Sequence, residues 1–91
     1  MSGIAAVIVR IMPSSPDADL SKIESEAQRL MEEQGARNIT FERQPIAFGL
    51  NAIIMKFAWP EEKDTDIIEN TLSGIENVTS ASIEDYRRAF G

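Results

Sequence analysis

The chain has 91 residues, of which 43% are hydrophobic, and carries a formal net charge of −6. This length fits one small domain with a modest core and leaves no room for a deeply enclosed active site. The chain has no Cys and no His, which excludes disulfides, thiolate nucleophiles, Cys-type zinc sites and a Ser-His triad. The acidic balance argues against direct nucleic-acid binding and favours either a basic protein partner or simply a solvated surface.

The first residues predict no targeting signal. Met1-Ser2-Gly3 leads directly into an apolar run without a basic segment. The longest apolar runs are far shorter than the ~20 residues that span a membrane. We therefore expect no signal peptide, no membrane contact and a cytoplasmic location.

The first half of the chain predicts a strand followed by a helix. Ile4 to Met12 is apolar and rich in β-branched residues, which is typical of a buried strand. Prolines then stop the strand, and Asp17 and Asp19 are both candidate N-caps. Apolar residues recur at helical spacing, which predicts an amphipathic helix that ends before Gly35. Its stripe consists of Leu20, Ile23, Ala27, Leu30 and Met31.

Two further strands are predicted around a corner. Arg37 to Gln44 alternates in polarity, as expected of a strand with one solvated face. Leu50 to Ala58 predicts the next strand, with Ile53, Met55 and Phe57 sharing its core-facing side. Trp59-Pro60 ends that strand, and a polar loop follows it.

The last part of the chain predicts a second helix and a fourth strand. Asp66 and Glu69 match a capping box in which Asp66 is the cap. The apolar stripe of the helix that follows consists of Ile68, Thr71, Leu72 and Ile75. Val78 to Asp85 predicts the last strand, whose imperfect alternation indicates a bulge or a late start. We expect residues 86–91 to form a tail.

The predicted element order is β-α-β-β-α-β. This order is typical of the ferredoxin-like α+β fold, a four-stranded antiparallel sheet with two helices on one face. We expect one domain over residues 1–91, with the second face of the sheet open to water or to a partner. Because this fold hosts many unrelated functions, the function has to be argued from a site.

The corner between the second and third strands is the strongest candidate site. Pro45 cannot donate to a sheet ladder, and Gly49 permits backbone angles that other residues avoid. Between them lies Phe48, a large apolar side chain where a surface corner is normally polar. Phe48 therefore either folds back onto the core or fills a pocket on a partner.

The other polar clusters indicate no catalytic, cofactor or metal site. The acidic segment from Glu61 to Asp66 lacks the spacing and the Gly of a calcium loop, so we interpret it as a solvated loop with a helix cap. No Gly-rich phosphate-binding loop is present. Arg87 and Arg88 contrast with the acidic remainder; they are either ordinary terminal charges or cations that reach an anionic site on a partner.

Several segments, taken in order, resemble the archaeal elongation factor 1-beta family. These guanine-nucleotide exchange factors act on elongation factor 1-alpha, and the chain is also similar to the C-terminal catalytic domain of the eukaryotic counterpart. The segments are Val7 to Pro13, Ser15 to Leu20, Pro45-Ile46-Ala47-Phe48-Gly49-Leu50, Leu72 to Val78, and Tyr86-Arg87-Arg88. The corner segment is the most specific of them, and together they cover essentially the whole chain.

The resemblance implies a ferredoxin-like fold and a GTPase partner, elongation factor 1-alpha. In eukaryotic relatives an aromatic residue of the matching Pro-x-x-aromatic-Gly corner docks onto the GTPase, and Phe48 holds that position. Those relatives end in a lysine that disturbs the magnesium and phosphate site. Placing Tyr86 on their terminal aromatic puts Arg88 at the lysine, with Arg87 as the alternative.

The resemblance thus implies partner-binding residues at both the corner and the chain end. They are Pro45, Ile46, Phe48, Gly49, Tyr86, Arg87 and Arg88. We expect a monomer that promotes exchange of GDP for GTP without covalent chemistry.

Two other functions remain open at this stage. One is a small-molecule-binding regulatory module of the same fold, although Pro13 to Pro16 replaces the Gly-rich ligand loop that such a module needs. The other is an acylphosphatase-like hydrolase, which needs an Arg in the loop after the first strand and an Asn on a central strand. Arg10 and Asn51 are present, but Arg10 falls inside the predicted strand.

Overall fold

The structure is a computed structural model that describes residues 3–90, with side chains described for residues 3–88. Four strands, two α-helices and one short 3-10 turn follow one another along the chain. They are β1 (Ile4–Pro13), α1 (Leu20–Glu33), β2 (Arg37–Pro45), the 3-10 turn (Ala47–Gly49), β3 (Asn51–Pro60), α2 (Asp66–Ser73) and β4 (Val78–Phe90).

The four strands form one antiparallel sheet in the order β2-β3-β1-β4. β1 and β3 lie at the centre, and their register runs from Ile4 opposite Pro60 to Ile11 opposite Ile53. Each helix connects two strands that are separated in the sheet by one other strand, as in two interleaved β-α-β units. The predicted ferredoxin-like fold is therefore confirmed.

The core lies between the sheet and both helices. Odd-numbered residues of β1 and β3 face it, because successive side chains of a strand point to opposite faces. Buried residues of both helices belong to the same cluster, so the two helices share one face of the sheet, as predicted. The largest fully buried side chains are Trp59, Ile11, Ile23, Met31, Ile53, Met55, Ile68, Leu72, Val7 and Val9.

The ends of α1 follow the sequence expectations closely. Asp19 is the N-cap, and its carboxylate accepts a hydrogen bond of 3.2 Å from the backbone N–H of Lys22. Gly35 has φ 103° just beyond the helix, a conformation that glycine adopts at little cost after a helix end. Asp17 has no part in the cap, so the choice between the two aspartates is resolved.

The predicted capping box of α2 is wrong. Thr65 precedes the helix and Asp66 is its first residue, with the backbone N–H of Asp66 donating to Asp64 at 2.9 Å. Glu69 instead turns towards the sheet, where its carboxylate accepts a 3.1 Å hydrogen bond from the backbone N–H of Ile83. Ile83 adjoins a register shift of β4, and such a shift leaves a backbone donor that needs an acceptor.

Replacing Glu69 by Ala is expected to lower the free energy of unfolding by about 1–2 kcal/mol, because the half-buried Ile83 N–H loses a charged acceptor. Urea unfolding followed by circular dichroism measures this loss. Glu62→Ala removes an exposed carboxylate from the loop before α2 and serves as the matched control. Equal unfolding midpoints for the two variants would show that the hydrogen bond between Glu69 and the Ile83 N–H does not stabilise the fold.

β4 departs from the predicted strand in length. Register shifts occur at three places along its pairing with β1, which confirms the predicted bulge. The strand continues to Phe90, however, so Tyr86, Arg87 and Arg88 are strand residues and the expectation of a tail is wrong for residues 86–90. β1 offers backbone partners as far as Ile4, and paired backbone groups are more stable than a frayed end.

The sheet face opposite the helices is uncovered within the described chain and carries mutually compensating charges. Arg10 pairs with Glu84 at 3.8 Å, and Lys56 pairs with Glu42 at 3.6 Å. The excess negative charge lies instead on the two helices and on the loops before them, each of which has more acidic than basic side chains. Within residues 3–90, neither helix is long and apolar enough to cross a membrane.

Candidate functional site

The corner between β2 and β3 is a tight turn that presents Phe48 outward. Pro45 ends the edge strand β2 opposite Asn51, where the missing N–H of proline costs no central ladder bond. The backbone N–H of Ile46 donates to the carbonyl of Leu50 at 2.8 Å, and the N–H of Leu50 donates to Ala47 at 3.3 Å. These two bonds close the turn.

Phe48 is the most exposed of the large hydrophobic side chains that the structure describes. The residue is 93% exposed, so the alternative in which it folds back onto the core is excluded. Its backbone has φ 63° and ψ 30°, in the left-handed region, which costs a non-glycine residue of order 1–3 kcal/mol. An aromatic residue that is both strained and solvated contributes nothing to the core, which points to recognition.

Gly49 follows Phe48 and also has positive φ, at 76°. A Cβ built there would lie 3.9 Å from Pro16, which is ordinary contact. The requirement for glycine therefore comes from the backbone angle and not from lack of space. Gly49 lets the chain enter β3 while Phe48 stays at the tip of the turn.

β2 is tied to α1 just before the corner. The Nε of Arg43 donates to Glu24 at 3.1 Å, and one Nη donates to the hydroxyl of Ser21 at 3.1 Å. The hydrogen bond to Glu24 and its charge raise the pKa of Arg43 above its ordinary value. Sequence analysis did not single out Arg43, because its partners are 19 and 22 residues away.

The C-terminal residues of the candidate site lie in β4 and alternate between the two sheet faces. Tyr86 is opposite the buried Val7, and its side chain is 37% exposed. Arg87 is opposite Ala6 on the open face, while Arg88 is opposite Ala5 on the helix side. The two arginines therefore point to different surfaces.

Each arginine is held by one carboxylate. The Nε of Arg87 lies 2.9 Å from Asp85, two residues earlier in the same strand. The Nε of Arg88 lies 3.6 Å from Glu61, which follows β3. The two pairs also differ in burial, because the side chain of Glu61 is 18% exposed and that of Asp85 is 37% exposed.

The predicted site residues fall into two groups at opposite ends of the sheet. Pro45, Ile46, Phe48 and Gly49 lie beyond the end at which Ile11 pairs with Ile53. Arg88 lies at the other end, opposite Ala5. With ~3.3 Å per residue along a strand, the separation between Phe48 and Arg88 is about 30 Å. One continuous pocket cannot include both groups.

The residues of the alternative hydrolase site do not form a catalytic loop. Arg10 lies inside β1 and pairs with Glu84 on the open face, as its position in the sequence predicted. Asn51 begins β3 opposite Pro45. Within residues 3–90, no group of three or more His, Cys, Asp or Glu side chains is arranged to hold a metal ion.

Comparison with known proteins gives a consistent result over almost the whole chain. Residues 6–89 match the model of the EF-1 guanine nucleotide exchange domain. An elongation factor 1-beta of Methanothermobacter thermautotrophicus is 37% identical over 87 residues, which cover 94% of this chain and 97% of that protein. One of Sulfolobus acidocaldarius is 34% identical over 84 residues, covering 90% and 92% of the two chains.

A third relative comes from another organism. The elongation factor 1-beta of Natronomonas pharaonis is 31% identical over 87 residues, covering 94% of this chain and 98% of that protein. The matches extend through the corner and through most of β4. On this evidence the chain belongs to the EF-1 guanine nucleotide exchange domain family, whose members act in translation elongation.

Proposed function

We propose that this protein promotes exchange of GDP for GTP on elongation factor 1-alpha by docking at both ends of its sheet. Phe48 would fill an apolar pocket of the GTPase, and an arginine of β4 would approach its magnesium and phosphate site. The observation that carries the proposal is the 93% exposed Phe48 in a left-handed backbone conformation. Exposed aromatic anchors of this kind supply much of the affinity of protein interfaces.

Because the two groups are far apart, we expect each to contact a different part of the GTPase and to have a different role. A contact at the corner anchors the protein without touching the nucleotide, and a contact about 30 Å away changes the nucleotide site. Because one rigid sheet joins the two groups, binding at the corner would set the position of the β4 arginines. The partner must then offer two suitably spaced contact points.

Exchange of this kind needs no bond between the two proteins and the nucleotide. Magnesium and the phosphate-binding loop of a GTPase hold the nucleotide. A cation that enters this site competes with them, and each ~1.4 kcal/mol of lost binding lowers nucleotide affinity about tenfold. By linkage, the exchange factor binds the empty GTPase more tightly than the loaded one. GTP in excess then rebinds and releases the factor.

The net charge of −6 suits a partner with a basic face. Acidic residues on α1 and in the loop before α2 would raise the encounter rate, an effect that weakens as salt is added. We propose a monomer that meets the GTPase transiently, with no direct role for nucleic acid or membrane.

The decisive experiment follows release of a fluorescent GDP analogue from the cognate elongation factor 1-alpha in excess unlabelled nucleotide. Addition of this protein is expected to accelerate release, with saturation as its concentration rises. Unchanged release at concentrations where the two proteins demonstrably bind would contradict the proposal. The small-molecule-binding module would then become the leading account.

A further inference from the structure

We infer that Glu61 is a positioning residue that orients Arg88 for the nucleotide site of the GTPase. The inference rests on the proposed function and adds a residue to it. It also selects Arg88, rather than Arg87, as the cation that acts there. Two features carry it: the burial of Glu61, and the guanidinium atom through which Arg88 is held.

Glu61 is an unusual carboxylate for a polar loop. The atom Oε1 is fully buried and has no hydrogen-bond partner among the described residues, and it lies 3.6 Å from the Nε of Arg88. The backbone of Glu61 is fixed because its N–H donates to the carbonyl of Gly3 at 3.1 Å. A largely buried carboxylate is costly unless a cation is close, and Arg88 supplies that cation.

The contact through Nε leaves the outer edge of the guanidinium available. Arginine has five N–H donors in a planar fork, four of them on the two Nη atoms. The side chain of Arg88 is 76% exposed, so the Nη edge faces solvent while Glu61 approaches the inner edge. This arrangement fixes the stem and presents the four outer donors to an incoming anion, which matches bidentate recognition of phosphate.

The pair formed by Arg87 and Asp85 lacks these features. Both residues belong to β4, two positions apart on one face, and the side chain of Arg87 is 80% exposed. A pair of this kind moves with its own strand and lies in solvent, where ion pairs have little effect. Glu61 instead follows β3, so its ion pair connects β4 to the strand that begins at the corner. The position of Arg88 is thereby coupled to the position of the corner.

The first test needs only the free protein. We expect Glu61→Ala to shift the ¹H–¹⁵N resonance of the Arg88 Nε–H, whereas Asp85→Ala leaves that resonance in place and shifts that of Arg87. An Arg88 resonance unaffected by Glu61→Ala would show that the pair is not populated in solution, which would overturn the inference.

The second test measures the rate of GDP release as a function of the concentration of this protein. Glu61→Ala is expected to lower the maximal rate of GDP release about 3- to 10-fold, in the range of coupling between side chains in contact. The half-saturating concentration is expected to stay unchanged, because docking at Phe48 is intact. Asp85→Ala, the matched control, is expected to retain the wild-type maximal rate. Glu61→Gln keeps an oxygen acceptor, so its maximal rate should lie between those of Glu61→Ala and the wild type.

A double-mutant cycle separates positioning from general destabilisation. If Glu61 acts through Arg88, adding Glu61→Ala to an Arg88→Ala variant causes no further loss of maximal rate. An equal loss in both backgrounds would overturn the inference, and so would a wild-type rate in Glu61→Ala. A wild-type protein that does not accelerate release would instead refute the proposed function, and the inference with it.

Discussion

Replacing Phe48 by Ala is expected to lower the catalytic efficiency of GDP release at least about 30-fold, because truncation of an anchor residue costs 2 kcal/mol or more of binding. The loss should appear as a higher half-saturating concentration, since the corner lies far from the β4 arginines. Release of the fluorescent GDP analogue over a range of factor concentrations measures both quantities. Phe48→Tyr keeps the ring and is expected to retain most of the activity.

Substitutions of Phe48 are expected to lower exchange activity without lowering the free energy of unfolding. Phe48 is 93% exposed and has a left-handed backbone, so its side chain contributes almost no packing. Phe48→Gly removes the backbone strain and is expected to raise the free energy of unfolding by up to about 1 kcal/mol, offset in part by the entropy of glycine in the unfolded chain. Exchange activity should fall as far as in Phe48→Ala.

A more stable and inactive Phe48→Gly variant is an outcome that a core residue cannot produce. Thermal unfolding of the wild type and of both variants provides the comparison. If Phe48→Ala retained wild-type efficiency, the corner would not be an interface. If Phe48→Gly were clearly less stable than the wild type, the tip of the turn would depend on contacts of the ring that the structure does not contain.

The sequence predicted most of the fold because its periodicities are strong and local. β1 and β3 are short apolar runs bounded by prolines and polar residues, and α1 has an unbroken apolar stripe with Asp19 before it. Such patterns are set by which face of an element is buried, so they can be recognised without tertiary contacts. The register shifts of β4 were visible for the same reason.

The errors occurred where a distant partner overrides a local preference. Glu69 stands at the right spacing for a capping box, yet its carboxylate accepts from Ile83, 14 residues away. Glu61 was interpreted as one of the solvated acids of a polar loop, but its backbone N–H donates to Gly3 and its carboxylate pairs with Arg88. Local spacing carries no information on either contact.

The position of the chain end shows the same limit. Residues 86–91 were predicted to form a tail, whereas residues 86–88 and Phe90 pair with β1 and belong to β4. That pairing gives each arginine a defined face, which a tail would not have done. The candidate site therefore stays a prediction as a list of residues, and its geometry could not be predicted, because the distance between its two halves follows only from strand order.

The ion pair of Arg88 with Glu61 leads to the second large expected effect. Replacing Arg88 by Ala is expected to lower the maximal rate of GDP release about 30-fold or more, because loss of one charged partner in a desolvated contact costs 2 kcal/mol or more. Arg87→Ala removes the same charge from the open face of the sheet, and its maximal rate of GDP release should fall much less. Since net charge and encounter rate change equally in the two variants, a difference between them reports the position of the cation.

The shape of the saturation curve identifies the step that Arg88 serves. If Arg88 acts at the nucleotide site while Phe48 anchors the complex, Arg88→Ala lowers the maximum with little change in the half-saturating concentration, the reverse of Phe48→Ala. Arg88→Lys keeps the charge without the planar fork and should retain an intermediate rate. Equal losses in Arg87→Ala and Arg88→Ala would mean that β4 contributes only charge. A larger loss in Arg87→Ala would move the active face of β4 to the open side of the sheet.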